Sequence, residues 1–319
     1  MTGDTWSARQ AAHTARVEAL IGPYLRARRQ GGRDPVLDFL FTYYSSRPAQ
    51  VQRWHPGFGV VLADEPPDHP ASGFLATRGY CRVEVRASAA TGNAQASAAT
   101  GNAQASAATG VTVDAAFLRQ RRPALERASA LLAATAARPA RLGCFGLHEW
   151  AMVYRAEETR HDLPLRLGAV GTDAVVESMP LRCTHFDAFR FFTDDAVGRN
   201  EFALTPADRL RRDQPGCLHA TMDLYRTCFT VSPLLDAAVT LDAFELARDA
   251  RVLDMRASPY DLRDLGYSPV SVETPAGRAE YTRAQQAIAE RGAALRARIL
   301  AAVEGLLARC RSGDSSGPV

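Results

Sequence analysis

The sequence predicts a mainly α fold of the α+β type, a single helical domain with a small β portion. Three observations carry that expectation. Apolar residues recur at helical spacing over long stretches, above all in the last third of the chain. Strand-like runs are few and short. At 319 residues and 46% hydrophobic content, the chain can bury one large core, read here as a single globular domain over residues 1–311.

The elements follow in order. Residues 5–21 form a helix with Trp6, His13, Val17, Leu20 and Ile21 on one stripe, which Pro23 is expected to end. Asp34-Pro35 is an N-cap followed by proline, opening a short apolar helix over Val36–Tyr44. An arginine and aromatic loop at 47–56 leads into a β-like run at 57–62. Residues 79–85 and 111–113 read as a strand and its return. Between them, residues 87–110 repeat Ala-Ser-Ala-Ala-Thr-Gly-Asn-Ala-Gln twice and then begin it again. That unit has neither charge nor a large apolar residue, so it is expected to be a disordered surface insertion. Pro123 is expected to begin a helix reaching about Arg138. Residues 165–167, 173–176 and 181–185 look extended, with Gly168 and Gly171 as punctuation. Thr205-Pro206-Ala-Asp208 has the spacing of a capping box. Residues 218–229, 234–255 and 279–310 then read as helices, the last with a core stripe of Ile288, Gly292, Leu295, Ile299, Val303 and Leu306. Residues 312–319 form a polar tail, expected to be disordered.

Composition narrows the chemistry. All 38 basic residues are arginine, so no lysine Schiff base, lysine general base or P-loop lysine is available. A net charge of +3 is too mild to argue for nucleic acid by itself. Six scattered cysteines without a C-x-x-C pattern suit reduced thiols in a cytoplasmic protein. The N-terminus lacks the pattern of a signal peptide, and no apolar run approaches the roughly 18 residues a membrane helix needs.

Four of the seven histidines fall between residues 148 and 219, each with an acid close by: His148-Glu149, His161-Asp162, His185 with Asp187, and His219 with Asp223. Histidine titrates near neutrality and is the commonest metal ligand, and a neighbouring carboxylate orients it. On a strand, His185 and Asp187 would point to the same side. With His219 they would form a metal set of two histidines and one carboxylate. On a helix, His219 and Asp223 share one face, suiting a base and its orienting acid. These four residues are the catalytic candidates, and His185, Asp187 and His219 the candidate metal ligands. Cys183-Thr-His185 and Cys217-Leu-His219 suggest zinc only weakly, because residues two apart on a helix point in different directions. His148-Glu149 begins an H-E-x-x-H pattern that Met152 leaves incomplete.

Four segments also resemble a group of actinobacterial proteins carried under the name 3-methyladenine DNA glycosylase. They are Gly146-Leu-His-Glu-Trp-Ala-Met-Val-Tyr-Arg155, Leu181-Arg-Cys-Thr-His-Phe-Asp-Ala-Phe-Arg-Phe-Phe192, Gln214-Pro-Gly-Cys-Leu-His-Ala-Thr-Met-Asp-Leu-Tyr225 and Asp254-Met-Arg-Ala-Ser-Pro-Tyr-Asp-Leu262. The likeness covers nearly the whole chain outside the repeat. It implies a hydrolase that cleaves the N-glycosidic bond of a flipped, alkylated purine in DNA. Asp187 or Asp223 would then activate water, while Trp150, Phe189 or Tyr225 would stack the base. With no lysine such an enzyme is monofunctional, and it requires no cofactor. His148, Glu149, Arg190 and Arg226 complete the expected substrate contacts. The chain departs from helix-hairpin-helix glycosylases in that Gln214-Pro-Gly216 runs into Cys217 instead of a second hairpin glycine. Two other readings stand beside it: a metal-dependent, non-haem-iron-like enzyme acting on a small molecule, and a non-catalytic binding protein.

Overall fold

The computed structural model describes residues 1–64, 70–85, 108–159 and 163–312. The tail at 313–319, His161-Asp162 and all but the end of the repeat lie outside those residues. Among the described residues the chain is mainly helical with one small sheet, as the sequence predicts. No described helix is long and apolar enough to cross a membrane.

The amino-terminal helix α1 (Gly3–Arg29) runs past Pro23 instead of stopping there. Its buried stripe continues through Ile21 and Gly22 to Tyr24, whose hydroxyl donates to Asp38 at 2.8 Å. Burial on both sides of the proline offsets the missing backbone hydrogen bond. Helix α2 (Pro35–Tyr43) is capped as expected, with the Asp34 side chain accepting from the backbone N–H groups of Val36 and Leu37. The short α3 (Pro48–Gln52) follows.

Residues 57–61 of the β-like run are not a strand; strand β1 (Leu62–Asp64) begins only at the run's last residue. Strands β2 (Tyr80–Val85) and β3 (Ala108–Val113) pair antiparallel, Tyr80 facing Val113, so the expected strand and return both form. The last three residues of the 87–110 segment belong to β3 and are not disordered. The sheet order is β1-β3-β2. A small apolar cluster of Trp6, Trp54, Leu62, Phe74, Val111 and Ala237 joins this sheet to α1 and to the start of a later helix.

Helix α4 (Ala115–Ala136) begins eight residues before Pro123, capped by Asp114, which accepts from the backbone N–H of Ala116. The five-residue α5 (Leu147–Ala151) is entered through Gly146 at φ 71°, a left-handed conformation that glycine adopts without cost. Residues 168–178 form helix α6 (Gly168–Ser178), which overturns the extended reading of 173–176. Thr172, Val175 and Val176 share its buried side, a period of three to four residues masked by the two adjacent valines. Only isolated bridges, Leu165 to Tyr260 and Leu181 to Asn200, remain of the other extended segments. Short helices α7 (Phe186–Phe189), α8 (Asp194–Val197) and α9 (Arg209–Arg212) follow, α9 continuing from a 3-10 turn with the predicted Thr205–Asp208 capping box.

The core is then assembled by α10 (Leu218–Val231), α11 (Ala237–Ala257) and α12 (Pro275–Ser312). Helix α10 packs on α11 and α12, and α12 packs on α4. One apolar cluster runs from Val17 to Leu307 through these helices. All six positions of the predicted α12 stripe are buried. Glycine decides the approach of α12 at its first turn, where a Cβ on Gly277 would stand 1.9 Å from the Ser271 carbonyl oxygen. Backbone cannot yield there, so Gly277→Ala should cost about 2–4 kcal/mol. Gly305, with open space at its Cβ position, is the matched control and should gain stability on the same change. Urea midpoints of the two variants measure this, and equal midpoints would contradict it.

Candidate functional site

Three of the predicted histidines converge between α5, α7 and α10. The ring centroids of His148 and His219 lie 4.7 Å apart, and those of His185 and His219 lie 5.4 Å apart. All three side chains are buried. Helix α10 brings His219 and Asp223 to one face, as its spacing predicts. The strand expected for 181–185, and the alternation it would give His185 and Asp187, does not form; His185 instead occupies the N-cap position of α7 without a side-chain capping bond, and Asp187 lies in that helix's first turn.

The inner half of the centre is built by α5 and α11. His148 Nε2 lies 2.9 Å from Asp254 Oδ1. Both side chains are buried, so the contact is an ion pair shielded from water when His148 carries a proton. Nitrogen atoms of His148 and His219 and an oxygen of Asp254 all fall within 4.8 Å of one another. Arg251, one turn before Asp254, donates to Asp254 Oδ2 at 2.8 Å and also to Glu149 Oε1. Arg251 is 1% exposed, and its guanidinium sits 3.8 Å from the Phe39 ring centroid. Burial opposes charge on His148, but the Asp254 carboxylate outweighs it and holds His148 well above its ordinary pKa. For Asp254 burial is likewise outweighed, by His148 and Arg251, and its pKa is lowered. His219 is pushed well below its ordinary value by burial and by the two neighbouring histidines. It is therefore a neutral imidazole, the form that binds metals.

The outer half is held by arginine. His185 Nδ1 lies 3.0 Å from Asp213 Oδ1, and its Nε2 lies 3.8 Å from Asp223 Oδ2. Arg209 reaches Asp213 at 3.2 Å, Asp187 at 3.4 Å and, most closely, Asp223. Arg226 donates to Asp187 at 2.9 Å, and Arg190 lies 3.6 Å from the same carboxylate. Asp213 is lowered in pKa because His185 and Arg209 overcome its burial. His185, Asp187 and Asp223 also offer atoms within 4.8 Å of one another, but a guanidinium already serves two of the three.

A cavity of about 650 Å³ opens onto this centre. Glu149, His219 and Arg251 line it on the polar side, while Phe39, Tyr43, Met152, Phe191 and Tyr260 supply its apolar wall. Arg33 and Arg190 add positive charge.

Several expected contacts are elsewhere. Trp150 is fully buried and donates its indole N–H to the Ala257 carbonyl at 2.8 Å, fixing α5 to α11 instead of facing a substrate. Tyr225 is also fully buried, edge-on to Phe244 and Tyr44. Phe189 packs against Phe192, and its neighbour Phe191 takes the cavity position. The expected metal trio divides: His219 groups with His148 and Asp254, whereas His185 and Asp187 group with Asp223. The physical reason is the helical turn at 186–189, which replaces the alternation of a strand. Asp254, Arg251, Asp213 and Arg209 were not among the sequence candidates. Arg251 and Asp254 did carry a signal, being charged residues set among Ala247, Ala250, Leu253 and Ala257 on a buried helix face.

A scan against protein-family models, a search of curated proteins and a search of solved structures each return no match to this chain. The geometry alone therefore supports a functional reading.

The histidines also set an acid response. Burial lowers His13, His219 and His55, the last to about 4 from 6.5. Each is neutral in the fold and binds a proton when unfolded, so stability falls as pH drops from about 6.5 towards 4. His55 alone corresponds to about 3 kcal/mol over that window. His148 acts with the opposite sign: its stabilisation is present at low pH and lost as pH rises through its raised value. Urea midpoints measured from pH 7 to pH 4.5 should decline, and less steeply in His55→Asn. A flat wild-type profile would count against neutral burial.

Proposed function

We propose that this chain is a metal-dependent enzyme acting on a small molecule that enters the 650 Å³ cavity, with His148, His219 and Asp254 as protein ligands. The observation carrying this reading is the pair His148 Nε2 and Asp254 Oδ1. Two buried ligand-type atoms stand 2.9 Å apart beside a neutral His219, and the three residues offer atoms that all lie within 4.8 Å of one another. Two imidazoles and one carboxylate are the donor set of non-haem iron and related divalent centres. A bound ion would supply Lewis acidity towards an oxygen of the substrate or of water.

The chain's own groups have separable tasks. Arg251 holds Asp254 and Glu149 in place by donating to both. Cys144, with its sulfur 3.5 Å from His148 Nδ1, orients that ring from behind. Phe39, Phe191 and Tyr260 keep water from the cavity wall. Arg190, tied to Asp187, lies where an anionic group of a substrate would be met.

Elemental analysis of the protein purified without chelator is expected to give close to one divalent transition-metal ion per chain. His219→Ala should lose it. Well under one ion per chain, also after incubation with iron(II), manganese(II) or zinc(II), would remove the reading.

The hydrolase implied by the resemblance is the second reading, favoured by a cavity large enough for a purine and walled by aromatic rings. Its weak point is the water-activating acid. Asp187 is held by Arg209 and Arg226, and Asp223 by Arg209. Release of free base from alkylated DNA by chelator-treated protein would favour it over the metal reading.

A further inference from the structure

We propose that a second cavity, bordered by a different part of α10, binds a small phosphorylated anion. It has a volume of about 500 Å³ and lies between α1, α3, the start of α4 and the α10–α11 turn. Arg53, Arg78 and Arg121 line it, and no aspartate or glutamate does. Arg53 and Arg78 are exposed and Arg121 is half-buried, whereas the more buried Arg166, Arg209 and Arg251 each meet a carboxylate. Arg53, Arg78 and Arg121 have no ion pair among the described residues.

Neutral groups hold them in place. Arg53 donates to the Thr77 hydroxyl at 3.1 Å, and Arg78 donates to the Gln120 side-chain oxygen at 3.2 Å. Arg121 lies over the Phe117 ring at 5.1 Å, and its Nε is buried without a hydrogen-bond partner. The guanidiniums are thus oriented by neutral partners, with no carboxylate paired to them among the described residues. His13 donates from Nε2 to the Val51 carbonyl at 3.0 Å, and His55 contacts the Tyr80 hydroxyl through Nδ1 at 3.0 Å. Asp236, an acid that acts on His13, is paired with Arg9.

Three guanidiniums bordering one cavity exceed what a carboxylate needs, and their planar forks match the oxygens of a phosphate. The volume falls in the range of small-molecule sites, roughly 300–1,000 Å³. Val51, Phe229 and Leu241 give the rest of the ligand an apolar wall. A cavity of this size, with three arginines and an apolar wall, suits a phosphorylated metabolite in preference to a strand or duplex of nucleic acid, which needs a longer basic groove along its backbone.

Calorimetric titration of the full-length protein with pyrophosphate, and separately with a short oligodeoxynucleotide, tests this at constant ionic strength. One saturable pyrophosphate site per chain is expected, weakened about tenfold or more by Arg121→Gln and by Arg78→Gln. Arg33→Gln, at the other cavity, and chelator treatment should leave it unchanged. Arg78 is exposed, so its variant remains informative if Arg121→Gln folds poorly. No saturable binding at millimolar pyrophosphate overturns the proposal. So does pyrophosphate binding that survives both substitutions, or oligonucleotide binding lost in those variants with none to pyrophosphate.

Discussion

Replacing Arg251 with methionine is expected to destabilise the protein by about 3–5 kcal/mol, the usual cost of stranding a buried charge. Methionine fills much of the same volume, so the loss comes from electrostatics more than packing. Arg251 is 1% exposed and donates to both Glu149 and Asp254, each of which is almost completely buried. Without the guanidinium, those carboxylates must take up protons or bring in water. For a chain of this size the melting temperature should fall on the order of 10 °C. Adding Glu149→Gln to Arg251→Met should recover part of the loss, since one stranded charge is then gone. A fall below about 1 kcal/mol in the single variant would mean that the buried pair is solvated in a way the structure does not suggest.

Asp254→Asn should abolish metal retention while leaving a folded protein. The change keeps size and one acceptor oxygen, and Arg251 keeps Glu149 as a partner. It removes the one anionic ligand from the inner set, for which an affinity loss of about a hundredfold or more is expected. Competition against a chelator, with zinc(II) as the probe ion, measures it. Asp187→Asn, in the arginine-held outer half, is the matched control and should bind as the wild type does. The pH dependence has a definite sign. His148 carries a proton more readily than an ordinary histidine because of Asp254, so an ion must displace that proton and wild-type affinity must rise with pH. In Asp254→Asn that extra dependence should diminish. Equal zinc affinity in Asp254→Asn and wild type would show that these residues are not the ligands.

Much of the helical framework was legible in the sequence because periodicity and caps act locally. Asp34 before Pro35, the Thr205–Asp208 box and the α12 stripe each announce themselves within a few residues. The errors arose where distant burial outvoted a local rule. Pro23 should end a helix, yet Tyr24 is packed against α2 and the helix continues. Pro123 suggests a start because proline favours a first helical turn, yet Asp114, directly after the strand at 111–113, is the real cap and Pro123 lies inside the helix. Within the site, His148, His185, His219 and Asp223 could be singled out by residue type and spacing. Their grouping could not, since it depends on α11 delivering Asp254 and Arg251 from more than 100 residues beyond His148. Trp150 and Tyr225 were misassigned for a related reason: an aromatic ring beside a charged residue reads the same in sequence whether it faces a ligand or a neighbouring helix.

Helix α10 contributes His219 to one cavity and Tyr225, Phe229 and Thr230 to the other. One fourteen-residue rod is thus a wall of both chambers. Any shift of that rod favoured by an occupant on one side changes the fit on the other, and thermodynamic linkage makes the influence mutual and equal in free energy. Two chambers with a common partition cannot be filled as wholly independent events unless the partition is rigid. At Gly292 the partition meets α12 closely, Thr221 of α10 lying 3.1 Å from the position a Cβ would occupy, so a shift of α10 has little room on that side.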